Sequence, residues 1–327
     1  MTQPTDETAP LHVVLGAGQI GRKLAQRLLA RGLRVRLVRR GPAGPSRPGL
    51  EWRSGDLTDP AFADAVCAGA ARIYNCVNPP DYGKWAGVVE PLHGAVQDAA
   101  VRAQTPLVHL DCLYMVGLPE AVPFDEDAPM NPRSTKGEMR ARLVRRALKL
   151  RDAGDLRITF GRAPDYFGPD SPDTGFGERF LERLARGAAA EVLGDPDLPR
   201  SYAYTPDVAE GLAILGTRAE AFDRAVWHLP VSEVPTTRAL VEAFYRMAGR
   251  EPKLKRLPSW LLRAFGLVSP LMRGIAEMTY QWEHPFVVND ARFREAFGAR
   301  PTPLAEAVDA TLAAAGVPTA EPLVAPA

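Results

Sequence analysis

The 327-residue chain has little that would support a disulfide frame, a metal centre or a membrane span. It has three cysteines, Cys67, Cys76 and Cys112, an odd and widely spaced set. Such usage argues against cross-linking and for a reducing compartment. The five histidines (His12, His93, His109, His228 and His284) show no H-x-x-x-H or Cys/His spacing, so no metal site is expected. No apolar run reaches the roughly 18 residues that read as a span. The best stretch, 260–272, is broken by Arg263, Gly266 and Pro270 and reads as one bent amphipathic helix. The first ten residues are polar and acidic, unlike a signal peptide. Net charge is missing as well: 40 Lys and Arg against 39 Asp and Glu leave +1. That balance implies no strong pull toward nucleic acid or an anionic membrane. The expectation is a soluble, cytoplasmic protein whose partner is a small molecule, with no nucleic acid and no membrane.

What is present has a clear order. The first half alternates short apolar runs with helical patterns, the signature of βα units on a parallel sheet. Strands are expected at 11–15, 33–38, 51–53, 72–77, 107–110 and 157–160, and helices at 20–31, 60–68, 91–103 and 136–151. Asp59 before Pro60 reads as a helix cap followed by a first-turn proline. Beyond Phe160 the pattern loosens. Helices are expected at 177–186, 207–215, 237–249 and 259–265, and short strands at 190–193, 227–229 and 286–288. The fold class is α/β: a Rossmann doubly wound parallel sheet with a smaller, mostly helical C-terminal substrate lobe. Residues 11–165 form the expected dinucleotide-binding domain. Residues 166–318 form the lobe, interleaved with the last sheet elements, and 1–10 and 319–327 read as flexible ends.

Val14 to Gly21 reads V-L-G-A-G-Q-I-G, between a strand-like run and a helix-like run. In that context G-x-G-x-x-G is a dinucleotide-binding turn. Gly16 permits the tight turn, Gly18 clears the way to a pyrophosphate, and Gly21 lets helix and strand pack closely. Gln19 and Ile20 open the helix whose N–H groups face the phosphates. About 20 residues on, where NAD-binding versions usually carry an acid, the chain has Arg39 and Arg40. Guanidinium groups suit a 2′-phosphate, so NADP(H) is expected in preference to NAD(H).

Five further segments carry a resemblance. They are Gly55-Asp56-Leu57-Thr58; Tyr74-Asn75-Cys76-Val77-Asn78; L-V-H-L-D-C-L-Y-M-V-G from Leu107 to Gly117; Gly161 to Pro169; and Ser201 to Ala209. Together and in this order they resemble the extended or atypical short-chain dehydrogenase/reductase superfamily, the NAD-dependent epimerase/dehydratase-like group. The resemblance implies that Asp56 and Leu57 meet the adenine end and that Val77 and Asn78 pass the nicotinamide ribose. It also implies a homodimer built on the helices at 91–103 and 136–151, although the second carries many like charges.

The superfamily's usual Tyr-x-x-x-Lys, two positions on one helical face, is absent. The matching stretch places Lys136 where the tyrosine belongs and Arg140 where the lysine belongs, and Cys112 stands at the usual serine. Lys136 is then a candidate both for the ribose and for the chemistry, as a proton-transfer group or an oxyanion stabiliser. Arg140 is a fixed cation. Tyr114 and Asp111, beside the end of the fifth strand, are the other catalytic candidates, with Tyr166 and His284 as substrate contacts. Lys136 and Arg140 also begin a very basic helix that could be a solvated face. Asp111 could cap a turn, and the tyrosines could be packing residues. Three functions stay open. One is an NADP(H)-dependent oxidoreductase or isomerase on a small carbonyl-bearing substrate. The others are a sugar-nucleotide epimerase or dehydratase, and a non-catalytic nucleotide sensor.

Overall fold

The computed structural model describes residues 8–320, position 80 excepted. The parts of the expected flexible ends at 1–7 and 321–327 lie outside the described residues. The chain forms two compact units, each from three separate segments. One comprises the residues up to Cys112, Lys136–Arg162 and Ala209–Trp227. The other comprises Leu113–Thr135, Ala163–Val208 and the chain from His228 onward. Among the described residues no helix is long and apolar enough to cross a membrane.

The first unit is a βα alternation. Its elements are β1 (Leu11–Leu15), α1 (Gln19–Ala30), β2 (Arg34–Arg39), β3 (Leu50–Ser54), α2 (Pro60–Cys67), β4 (Arg72–Asn75), α3 (Val89–Arg102), β5 (Leu107–Asp111), α4 (Thr135–Asp152) and β6 (Ile158–Arg162). Strands β3, β2, β1, β4, β5 and β6 pair in parallel in that spatial order. A strand from later in the chain, Val226–His228, completes a seven-stranded sheet beside β6. The order reverses between β1 and β4, the switch point where doubly wound sheets open a crevice for ligands. β1 is buried along its whole length, as a central parallel strand must be. Helix α1 buries Ile20, Leu24, Ala25 and Leu28 on one face. It stops at Gly32, whose φ of +75° is the left-handed conformation. Gly32 N donates to Leu29 O and Leu33 N to Leu28 O, the paired bonds of a Schellman end. Asp59 caps α2 by accepting from Ala61 N at 3.0 Å, as its place before Pro60 predicts.

Strand β6 runs two residues past the expected end at 160, because the register pairs Asp111 with Arg162.

The second unit contains β7 (Asp165–Phe167), α5 (Glu178–Ala185), β8 (Ala190–Leu193) and β9 (Tyr202–Tyr204). It also holds the start of α6 (Thr205–Thr217). After β10 (the Val226–His228 strand) come α7 (Thr237–Met247), β11 (Leu254–Leu257), α8 (Ser259–Gly266) and α9 (Pro270–Ala276). Three short helices close the chain: α10 (Tyr280–Glu283), α11 (Ala291–Phe297) and α12 (Leu304–Ala314). β7 pairs with β9 and β8 with β11, both in parallel. These strands of three or four residues are too short for a period-two pattern, and only β8 is expected from sequence. The core here is aromatic: Phe176, Phe180, Tyr202 and Phe244 meet ring to ring.

Two expected elements differ. The strand at 286–288 is only a pair of single bridges, Phe286 to Arg200 and Val288 to Phe124. The bent helix at 260–272 is two helices, α8 and α9, with Leu267 to Ser269 between them. Pro270 has no N–H with which to continue α8, so it starts a helix instead, and Ser269 caps that helix by accepting from Met272 N.

Candidate active site

The glycine turn lies at the sheet's switch point. Gly16 has φ +100°, and its N–H donates to Val38 O at 3.0 Å. A Cβ there would stand 2.7 Å from the backbone of Cys76, so no side chain fits between β1 and the end of β4. A Cβ on Gly21 would stand 1.8 Å from Gly16 O, which holds the first turn of α1 against the loop. Gly18 is the opposite case: a Cβ there would meet nothing within 4 Å. Steric demand inside the protein therefore explains Gly16 and Gly21 but not Gly18. Gly18 is the N-cap of α1, no side chain caps the helix, and its first turn holds no acid. Its N–H groups and dipole end thus face no competing anion of their own helix. Gln19 Oε1 is buried at the same turn without a hydrogen-bond partner. Ile20 is buried in the core.

Arg39 ends β2 and Arg40 follows it, exposed. Past β3, Asp56 Oδ1 accepts from Thr58 N at 2.9 Å and Thr58 Oγ1 at 2.8 Å. Those bonds hold its carboxyl below the usual range, with Arg40 adding to the effect. Leu57 beside it is buried. Asp56 is therefore engaged in its own turn and exposed.

The first turns of α4 place Lys136 and Arg140 one above the other, and both are 5% exposed. They do not lie on the solvated face that the charge run predicts. Lys136 Nζ stands 4.4 Å from the centroid of the Tyr82 ring and 5.9 Å from that of Trp85. Arg140 Cζ lies 4.9 Å from the Trp85 ring. The two rings meet edge to face at 5.0 Å. They are set by a tight 3-10 turn, Tyr82–Lys84, which Asp81 caps through Gly83 N. Aromatic faces attract cations, and more strongly when water is excluded. Arg140 also donates to Asn78 Oδ1 at 2.6 Å and stands 3.7 Å from Asp111 Oδ1.

Beneath this face lies a buried polar cluster. Asp111, at the carboxyl end of β5, accepts from Cys112 N at 2.9 Å, and its other oxygen is 3.8 Å from Arg162 Nε. Burial pushes the Asp111 carboxyl up, while Arg140 and Arg162 oppose that shift. The Asn75 amide reaches His93 Nδ1 at 3.0 Å and His109 Nδ1 at 3.3 Å, and the two imidazoles stack at 5.1 Å. Burial, then Arg140, holds His93 far below its ordinary value and takes His109 to about 3. Both rings are neutral near pH 7, so the cluster's positive charge comes from the guanidinium groups.

The first unit thus brings together Lys136, Arg140, Asp111 and Asn78. Val77, half-buried, follows on from β4 and donates its N–H to Asn75 Oδ1 at 3.2 Å. Tyr114, Tyr166 and His284 belong to the second unit. Tyr114 opens a short 3-10 turn and is half-buried, Tyr166 lies in β7, and His284 is exposed after α10. Sequence reasoning missed Tyr82, Trp85, His93, His109 and Arg162. The one available signal was the pair of aromatics in the loop after β4. The histidines come from different elements and share no spacing.

A model of the NAD dependent epimerase/dehydratase family matches residues 12–226. The chain belongs to that family. Membership makes it an NAD(P)-dependent enzyme. The chain is 26% identical over 276 residues to dTDP-6-deoxy-L-talose 4-dehydrogenase (NAD(P)(+)) of Kitasatospora kifunensis, covering 79% of this chain and 85% of that one. It is 22% identical over 250 residues to protein y4nG of Sinorhizobium fredii (strain NBRC 101917 / NGR234), covering 74% of this chain but 61% of that protein's length. The fold superposes on UDP-glucuronic acid 4-epimerase from Bacillus cereus, solved with NAD, at a TM-score of 0.75. The identity there is 13%, over 93% of this chain and 98% of that one. The residues present fit the family's dinucleotide. An uncapped helix start and a Gly18 that needs no room within the protein lie together at the switch point, and the orphaned Gln19 Oε1 there can accept from a ribose hydroxyl, though not from a phosphate.

Proposed function

We propose that this family member is an NADP(H)-dependent oxidoreductase or isomerase acting on a small carbonyl-bearing substrate, with the Lys136 ammonium in place of the usual tyrosine hydroxyl. The observation that carries this reading is a buried lysine held against two aromatic faces at the tyrosine's position. When bound, the nicotinamide gives or takes a hydride. The α1 turn, from Gly16 through Gly18, Gln19 and Ile20 to Gly21, receives the pyrophosphate. Arg39 and Arg40 receive the 2′-phosphate, and Asp56 and Leu57 flank the adenine end. Val77, Asn78 and Lys136 border the nicotinamide ribose.

Lys136 offers only donors, so it acts on an oxygen that gains negative charge. It stabilises that oxygen and delivers a proton to it. Arg140, bound to Asn78 and facing Asp111, cannot serve as a base and positions the loop after β4. Asp111, Tyr114, Tyr166 and His284 remain candidates for proton exchange and substrate contact.

A second reading is favoured by the resemblance to the dTDP-sugar 4-dehydrogenase. It takes the carbonyl to be that of a nucleotide-linked sugar. The absence of a tyrosine base counts against the epimerase and dehydratase versions of it.

The test is a fluorescence titration with NADPH and NADH at low and high salt. Tighter, salt-sensitive NADPH binding is expected, with Arg39→Ala and Arg40→Ala each reducing the preference about tenfold, or about 1.4 kcal/mol. A preference for NADH overturns the cofactor assignment. Turnover of simple ketones and enones against nucleotide diphosphate sugars then separates the two substrate classes. Binding without any turnover favours the nucleotide sensor.

A further inference from the structure

The whole-chain charge balance conceals a local imbalance. From Pro252 to Ala276 there are five basic residues, Lys253, Lys255, Arg256, Arg263 and Arg273, and no acid. The same stretch carries most of the exposed large hydrophobic side chains among the described residues. Among the described residues seven large hydrophobics are exposed, and five of them are Trp260, Phe265, Leu267, Val268 and Leu271. Leu267 and Val268, at the tip between α8 and α9, are 80% and 83% exposed, and Trp260 is 67% exposed.

The tip is a built structure. Arg273 Nε donates to Gly266 O at 2.9 Å, closing the end of α8, and Ser269 caps α9. A Cβ on Gly266 would come within 3.1 Å of Arg273 Cα, so the two helices touch at that point. Leu262 and the backbone at Gly274 are buried, while Trp260, Phe265, Leu267, Val268 and Leu271 stay exposed. Lys253, Lys255 and Arg256 are exposed along and beside β11, with Arg256 3.9 Å from Asp195.

We propose that the α8–α9 tip docks on an anionic phospholipid surface. Trp260, Phe265 and the tip pair would enter the headgroup region while the flanking lysines and arginines meet the lipid phosphates. Apolar side chains joined to a basic flank are the chemistry of interfacial binding. Charge decides between this occupant and a second copy of the chain. A symmetric self-contact would set the same acid-free, basic stretch against itself, whereas an anionic bilayer neutralises it.

The test is co-sedimentation of the full-length protein with phosphatidylcholine vesicles and with equimolar phosphatidylcholine–phosphatidylglycerol vesicles. Binding to the anionic vesicles is expected to exceed binding to the neutral ones about tenfold and to fall with salt. Leu267→Asp with Val268→Asp should remove it, and Lys255→Glu should weaken it severalfold. Both positions of the first variant are at the surface, so its thermal melt and circular dichroism should match the parent. Failure to bind anionic vesicles overturns the proposal, as does equal binding to neutral ones. So does a dimer, seen by sedimentation velocity, that Leu267→Asp dissociates, since the patch would then be a self-association surface.

Discussion

The glycine turn and the first turns of α4 stand in the same unit but are built from different materials. The turn is made of backbone: its requirements are a positive φ, a clear approach and open N–H groups, and glycine meets all three. The α4 face is made of side chains whose partners come from the loop after β4, from α3 and from β5. A backbone device is spelled by one short string. A side-chain device is spelled across the chain, and one end of it can change chemistry while the fold stays the same. In the proposed function Lys136 and Arg140 are such a change, made on a sheet that keeps the doubly wound order.

Substitutions can sharpen that contrast. The largest effect is expected at Gly21. Gly21→Ala sets a methyl 1.8 Å from Gly16 O, so a loss of about 4 kcal/mol, together with nucleotide binding, should appear in melts and titrations. Gly18→Ala should cost no more than about 1 kcal/mol, the difference between glycine and alanine at a helix N-cap, and weaken the nucleotide; a drop as large as that at Gly21 would break the distinction between the two glycines.

Next comes Lys136→Ala. With any substrate that turns over, kcat should fall by about 10²–10³-fold while NADPH affinity changes far less. Unchanged kcat would move the chemistry to Tyr114 or Asp111.

Arg140→Ala strips the buried Asp111 of one of its two guanidinium neighbours and should cost about 3 kcal/mol in denaturant unfolding. Arg140→Lys should recover part of this.

The most gradual effect is with pH. His12 is held near 4 by burial and then Arg72, His109 near 3, and His93 well below its ordinary 6.5. Below about pH 6.5 the unfolded chain takes up protons that the folded chain refuses, so stability is full above that pH and falls as pH drops toward 4 and 3. The slope should approach 1.4 kcal/mol per pH unit for each histidine. Melting temperatures at about pH 7.5, 6 and 5 measure it, and a flat profile would mean that these rings are hydrated in the folded state.

Much of the fold was legible because parallel strands are continuous apolar runs and helices close with residues such as Asp59-Pro60 and Gly32. The glycine turn was legible for the same local reason. The small ribbons β7–β9 and β8–β11 were mostly hidden, since three residues carry no period. At the α4 face, sequence marked Lys136 and Arg140 by position and left open whether they lie on a solvated face. Burial there depends on Trp85 and Tyr82, about 50 residues earlier, which no spacing ties to them. His93 and His109 were hidden for the same reason: Asn75 joins them only after α3 and β5 have packed.

The alternation of segments between the two units bears on how the protein is made. The chain passes from one unit to the other five times, at Cys112, Thr135, Arg162, Val208 and Trp227. The edge strand β10, beside β6, is synthesised after much of the other unit. On the ribosome, the first unit cannot finish until two of the second unit's three segments have emerged, so the two are made interleaved rather than one after the other. A single cut anywhere between Leu113 and Trp227 divides both units.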